Sequence, residues 1–267
     1  MGGVLYELRS SGSGLAYNDY DNNYSNSNVS SHLCEISYST DPATWQKKSQ
    51  SLDWLVMKVK TSFNKQSMKR IGNLYEKICS LENLQLADQK ARKGKSWQYG
   101  VRIHDLNREE NIIQLRQSIL TRAYKTSDYT IFKVYEPKER DVYRLPYYPD
   151  RITHHAIMNV LEAVFVSVFT ADTYSCIKKR GIHAAANGVK QALKDQPGTQ
   201  YCLKLDITKF YPTINHDVLK ALLRRKIKDA DLLWLLDEII ESAPGLPIGN
   251  YLSQYLANFY LTYFDHW

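Results

Sequence analysis

The chain has 267 residues, 43% of them hydrophobic and 24% charged, with a formal net charge of +7 and a pI of about 9.0. That is enough apolar material for a sizeable core in one or two domains, and the basic balance suits a polyanionic partner. Cys34, Cys79, Cys176 and Cys202 show no paired or metal-ligand spacing, which argues against a disulfide framework or a thiolate metal site. With no signal peptide at the start and no uncharged run long enough to span a bilayer, the expected location is the cytoplasm, away from membrane.

Residues 1–40 are rich in Asn and Ser, with Asn18, Asn22, Asn23, Asn26 and Asn28 set among Ser, Asp and Tyr. Such a stretch has little to bury and reads as a disordered tail. From 41 to 125 the chain reads as a basic helical extension. Asp41-Pro42 and Thr44 open a helix with mixed periodicity from Trp45. A clearer one spans 68–86, with Ile71, Leu74, Tyr75, Ile78 and Cys79 on one stripe. Lys47, Lys48, Lys58, Lys60, Lys65, Lys69 and Arg70, then Lys90, Arg92, Lys93 and Lys95, form either a solvated face or an electrostatic track for RNA. A further helix is expected over 109–124.

Residues 126–200 begin with alternating patterns at 131–135 and 142–145 around Glu136-Pro137-Lys138-Glu139, a β-hairpin signature. Pro149-Asp150 opens a helix through Phe169, its apolar face made by Ile157, Val160, Leu161, Val164, Phe165 and Val168. His154 and His155 are adjacent, so they point to different faces and read as packing or capping residues. In TYSCIKKRGIHAAANGVKQAL, Gly181 is expected to permit a turn, and Ala184, Ala185 and Ala186 to allow close helix packing.

Residues 201–267 open with YCLKLDITKFYPTINHD. Alternation predicts a strand over 201–207, with Tyr201, Leu203, Leu205 and Ile207 on the apolar face and Asp206 on the other. Pro212 stops it, and Asn215 is placed to cap the following helix. Helices are expected over 217–227 and 229–242. In GLPIGNYLSQYLANFY, Pro247 and Gly249 shape a tight loop before a helix starting at Ser253.

LKLDITKFYPTI resembles motif A of reverse transcriptases, and GLPIGNYLSQYLANFYL resembles their motif B. The I-G-N-x-x-S-Q form of the latter is most similar to reverse transcriptases of diversity-generating retroelements, which copy a template repeat with errors at adenines. The hairpin and the KKRG turn resemble the two fingers motifs. The resemblance covers roughly 67–267. Its implied fold is α/β (α+β): fingers and a partial palm, the antiparallel palm sheet backed by helices. RSSGSGLAYNDYDNNYSNSNVSSHLC also resembles the Asn-rich ends of the lectin-like proteins that such elements diversify, which makes a translated template repeat a second reading of the tail.

The resemblance implies an RNA-directed DNA polymerase working by two-metal nucleotidyl transfer. Asp206 and the carbonyl of Ile207 would hold Mg²⁺, two ions being expected in the intact enzyme. Lys138, Arg140, Lys178 and Arg180 would meet the triphosphate or the primer-template, and Tyr211 would exclude the ribose 2′-hydroxyl. Ile248, Gly249, Asn250, Ser253 and Gln254 would line the nascent pair. Implied partners are an RNA template, an RNA–DNA hybrid, deoxynucleoside triphosphates and an accessory RNA-binding protein. Motif C, which carries further catalytic carboxylates, and the thumb have no match in these 267 residues, so the expectation is that this chain alone does not polymerise. The alternatives are a retron or phage-defence reverse transcriptase, or a non-catalytic nucleic-acid-binding remnant.

Overall fold

The structure, a computed structural model, describes residues 70–135, 139–202 and 205–266. The Asn-rich tail, the helix expected from Trp45, the lysines from Lys47 to Lys69 and Lys138 at the hairpin turn lie outside the described residues.

The helix expected over 68–86 is two pieces, α1 (Tyr75–Ile78) and α2 (Leu81–Ala91). Ser80 separates them: its backbone is extended, and its hydroxyl accepts from the Asn83 N–H at 3.2 Å as an N-cap. Upstream, residue 71 is extended rather than helical. Ile71 donates to the Lys226 carbonyl at 2.8 Å and accepts from Lys228 at 2.9 Å. The apolar stripe therefore marks burial at both ends, but two different backbones.

Next come α3 (Tyr99–Leu106), which the sequence pattern did not reveal, and α4 (Arg108–Leu120). Strands β1 (Thr130–Tyr135) and β2 (Glu139–Arg144) pair antiparallel, with Phe132 opposite Val142. A π-type turn over Tyr147–Arg151 leads into α5 (Ile152–Val166). There follow α6 (Ile182–Ala192), the single turn α7 (Phe210–Thr213), α8 (His216–Lys226), α9 (Ala230–Glu241) and α10 (Tyr251–Asp265).

Helix α5 is the centre. It packs on α2 and α1 on one side and on α10 on the other, while α8 packs on α9 and α10. Ile152, Ala156, Ile157, Leu161 and Phe165 are fully buried, and one apolar cluster runs from Leu74 to Phe259. Residues of all three expected regions after the tail therefore share one core. Two polar fastenings cross it. Asp229 precedes α9 but caps α1 instead, accepting from the Leu74 and Tyr75 N–H groups at 2.9 and 3.0 Å. Asp88 of α2 is completely buried and meets Arg92 at 2.9 Å, Arg108 at 2.6 Å and the Tyr147 hydroxyl. Burial alone would raise its pKa, but hydrogen bonds from His104, Tyr147, Arg92 and Arg108 outweigh that and hold it well below the carboxylate range.

The mixture of helices with a two-stranded antiparallel sheet is α/β, as expected. The strand predicted over 201–207 differs: the described residues of that segment form none. Tyr201 and Leu205, expected on a buried face, are 65% and 43% exposed. A strand is held by a neighbour's N–H and C=O groups, and among the described residues the only sheet is the hairpin, so this segment has no ladder to join. Gly181 also differs. Its backbone is extended (φ −149°) and a Cβ there would meet nothing within 4 Å, so neither conformation nor space requires glycine. The left-handed positions of that loop are Cys176 (φ 58°) and Lys179 (φ 64°).

Candidate nucleotide and nucleic-acid site

The two most chemically suggestive segments, 205–217 and 245–254, meet through the backbone. Lys209 is left-handed (φ 50°) and turns the chain into α7. The Tyr211 carbonyl in that turn accepts from the Leu246 N–H at 2.9 Å. Gly245 has φ +61°, and a Cβ there would lie 2.4 Å from the Tyr211 oxygen and 2.6 Å from that of Pro212. Only glycine fits so close a crossing of backbones. His216 closes the junction, donating from Nε2 to the Gly245 carbonyl at 2.7 Å. Asn215 performs the capping role its position suggested, accepting from the Val218 N–H at 3.0 Å.

The hairpin adds a third side. The Tyr143 N–H of β2 donates to the Ile248 carbonyl at 2.8 Å. Gly249 has φ +113°, and a Cβ there would sit 2.7 Å from the Tyr143 oxygen. The helix then begins at Tyr251, two residues before the expected Ser253. Asn250 precedes it without capping it: its buried amide donates to the Tyr129 hydroxyl at 3.2 Å, which shares a 2.7 Å bond with Ser242. Ser253 is buried, and Ile248 and Gln254 are half-buried.

Asp206 is exposed and Ile207 half-buried, on the irregular segment just before this junction. Tyr211 is half-buried. Burial first, then the Cys176 thiol, push its hydroxyl well above the ordinary phenol range, while Arg140 pulls the other way. Arg140 of β2 is therefore within electrostatic reach of Tyr211. The structure thus brings together Arg140, Tyr211, Ile248, Gly249 and Asn250. Lys178 and Arg180 are engaged elsewhere: Lys178 pairs with Glu162 of α5 at 2.8 Å, and Arg180 Nη1 holds the Thr170 and Thr173 carbonyls at 2.8 and 3.4 Å. Sequence reasoning missed Tyr129, whose only signal was its place before a hairpin, and Gly245, which did carry one as a glycine before the Pro247 loop.

Among the described residues no group of three or more His, Cys, Asp and Glu could hold a metal ion. Magnesium asks for less when it arrives with a substrate: one or two carboxylates plus phosphate oxygens suffice. An exposed carboxylate at Asp206 fits that partial role. His154 is buried in α5 and His155 stacks on Tyr251, centroids 4.9 Å apart, which agrees with packing roles. Among the described residues no helix is long and apolar enough to cross a membrane.

No protein-family model matches the chain. Over 151 residues it is 28% identical to Protein YkfC of Escherichia coli K12, covering 51% of this chain and 40% of the relative. Over 164 residues it is 26% identical to Nuclear intron maturase 4, mitochondrial, of Arabidopsis thaliana, covering 57% and 20%. Over 132 residues it is 26% identical to Group II intron-encoded protein LtrA of Lactococcus lactis, covering 45% and 22%. The chain thus spans less than half the length of these relatives. Two of these relatives are thus named for introns, one as a maturase and one as a group II intron-encoded protein.

Proposed function

We propose that this chain supplies the fingers and the first part of the palm of an RNA-directed DNA polymerase. The observation that carries the reading is the three-way backbone junction, in which the turn after Asp206, the Gly245–Gly249 loop and strand β2 are hydrogen-bonded into one surface. Those are the segments whose sequences resemble motif A, motif B and the fingers hairpin. Asp206, with the carbonyl of Ile207, would hold Mg²⁺, which when bound neutralises phosphate charge during transfer. Arg140 places a guanidinium beside the junction, where its fixed donors suit a phosphate. Tyr211, kept as the neutral phenol, presents a ring that can exclude a ribose 2′-hydroxyl. Ile248, Gly249 and Asn250 offer a side wall on which backbone can approach a base pair closely.

The finer class we propose is a diversity-generating retroelement enzyme, on the strength of Ile248-Gly249-Asn250 and Ser253-Gln254. A second reading, a group II intron protein, is favoured by the names of the relatives. Primer extension by the whole protein on an RNA template tests the polymerase, and its absence with a folded protein sinks it. The DNA around the gene separates the two classes: a near-identical repeat differing at adenines belongs to the first, and a flanking self-splicing intron to the second.

A further inference from the structure

Asn250 stands at the N-cap position of α10, where an Asn side chain ordinarily accepts from a backbone N–H one turn on. Here it makes no such bond. It is buried, at 7% exposure, and its Nδ2 donates to the Tyr129 hydroxyl at 3.2 Å. Tyr129 lies just before β1, and its ring meets that of Tyr143 edge-on, centroids 5.5 Å apart. The same hydroxyl is 2.7 Å from Ser242 Oγ at the end of α9. Ser242 Oγ in turn lies 2.6 Å from the Ile239 carbonyl oxygen.

The protons give this relay a direction. A carbonyl oxygen carries none, so the single hydroxyl proton of Ser242 goes to Ile239. In the Tyr129–Ser242 pair, Ser242 must then accept and Tyr129 donate. Burial raises the Tyr129 pKa, with hydrogen bonds from Ser242 and Asn250 offsetting part of the rise, so the ring takes part as the neutral phenol. With its only proton committed to Ser242, Tyr129 has lone pairs alone to offer Asn250. An Asn250 oxygen there would set lone pair against lone pair, so the amide turns its NH2 to Tyr129 and its Oδ1 away. Among the described residues Oδ1 has no hydrogen-bond partner, and it is not sealed from solvent.

We infer that Tyr129 is a positioning residue: the relay from Asn250 through Tyr129 and Ser242 to Ile239 holds the Asn250 amide one way round, so that Oδ1 meets a bound nucleotide as a pure acceptor. The ligand group it takes is a hydrogen-bond donor, either an amino group of the base or a hydroxyl of the sugar. Asn250 directly follows Ile248 and Gly249, which places that acceptor at the junction described above. The nucleotide as ligand rests on the polymerase reading; the relay itself does not rest on it.

The test has two arms. In this chain, amide correlation spectra by NMR report the Asn250 side-chain NH2, identified by its loss in Asn250→Asp. Tyr129→Phe removes the acceptor, so the amide proton that faced it moves upfield and exchanges faster. Ser242→Ala is the sharper variant. It leaves Asn250 untouched, yet it frees the Tyr129 proton to turn towards Asn250 and lets the amide flip, so the same signals move. Ser242→Thr keeps the hydroxyl and leaves them in place. Unmoved Asn250 signals in both Tyr129→Phe and Ser242→Ala overturn the relay.

In the whole protein, primer extension gives kcat and KM for each nucleotide. Ser242→Ala raises KM about fivefold with kcat little changed, as expected for one neutral hydrogen bond made equally in ground and transition states, and Ser242→Thr restores it. A KM loss with dATP, dCTP and dGTP that is absent with dTTP and dITP assigns the donor to the base. An equal loss with all five assigns it to the sugar. An unaltered KM beside amide signals that move overturns the ligand part of the inference. No extension at all, with amide signals that move, removes the polymerase reading and leaves the relay standing.

Discussion

Tyr143 donates its backbone N–H to the carbonyl of Ile248 at 2.8 Å, across 105 positions of sequence, and the next residue, Gly249, presses its backbone against the Tyr143 oxygen. The hairpin is thereby docked on the loop that begins α10. A side chain at 249 would meet backbone, which cannot move aside, from a φ of +113° that non-glycine residues rarely adopt.

Gly249→Ala should therefore destabilise the chain by roughly 1–3 kcal/mol, with most of the effect on hairpin docking. Urea denaturation gives the total. Hydrogen exchange at the Tyr143 amide reports the local part, and unchanged protection there would show that the loop accommodates a methyl group.

Asp229→Ala removes the acceptor of two N–H groups at the start of α1. A cap lost in this way costs about 1–2 kcal/mol. The same residue sits in the linker that holds Ile71, so the loss should loosen residues 70–78 before the rest. A melt identical to the unsubstituted chain would assign the capping to water instead.

His154 gives a pH dependence with a definite sign. Its side chain is buried and its Nε2 has no partner among the described residues. Burial first, then the charges of His155 and Arg151, lower its pKa from 6.5 to about 3. Between those values the unfolded chain takes a proton that the folded chain refuses, so stability falls as pH drops through this window. The slope approaches about 1.4 kcal/mol per pH unit once the unfolded histidine is fully protonated. Denaturation midpoints at pH 7 and pH 5 should differ, and His154→Phe should reduce the difference. Equal pH dependence in the two proteins would place its origin elsewhere.

The elements most legible in the sequence were those whose burial pattern and boundary residues agree. Asn215 marked the start of α8, and the alternation around 131–135 and 142–145 marked the hairpin. Less legible were segments whose shape depends on a distant partner. Ile71 lies on a helical stripe but bonds with Lys226 and Lys228, a contact no local pattern announces. The alternation over 201–207 is a sound strand signal, but a strand also needs a neighbour. In the site, Gly249 was visible as a loop former, whereas Gly245 was passed over. What the two glycines approach, the carbonyls of Tyr211 and Tyr143, was not visible at all.

Tyr211→Ala in the whole protein should raise incorporation of ribonucleotides relative to deoxyribonucleotides. The ring is half-buried beside Arg140, and truncating it opens space where a 2′-hydroxyl would otherwise clash. Its carbonyl, not its ring, accepts from Leu246, so the junction should survive the change. An unaltered ratio in a folded variant would make Tyr211 a packing residue only.

Asp206→Asn separates chemistry from stability. The carboxylate is exposed, on a segment with no strand partner among the described residues, so the substitution should change stability by less than about 0.5 kcal/mol. Its cost to catalysis should be far larger. An amide keeps the shape of the side chain but loses the negative charge that favours a hard divalent cation. In the whole protein, primer extension should fall to background while binding of an RNA–DNA hybrid is retained, because phosphates are met by cations rather than by this carboxylate. Raising Mg²⁺ should not restore activity if Asp206 is an indispensable ligand. Partial rescue by Mn²⁺, which is suited by the carbonyl oxygen that an Asn side chain still offers, would fit a weakened ligand set. Extension at an undiminished rate by a folded Asp206→Asn protein would remove Asp206 from the mechanism and leave the junction as a binding surface alone.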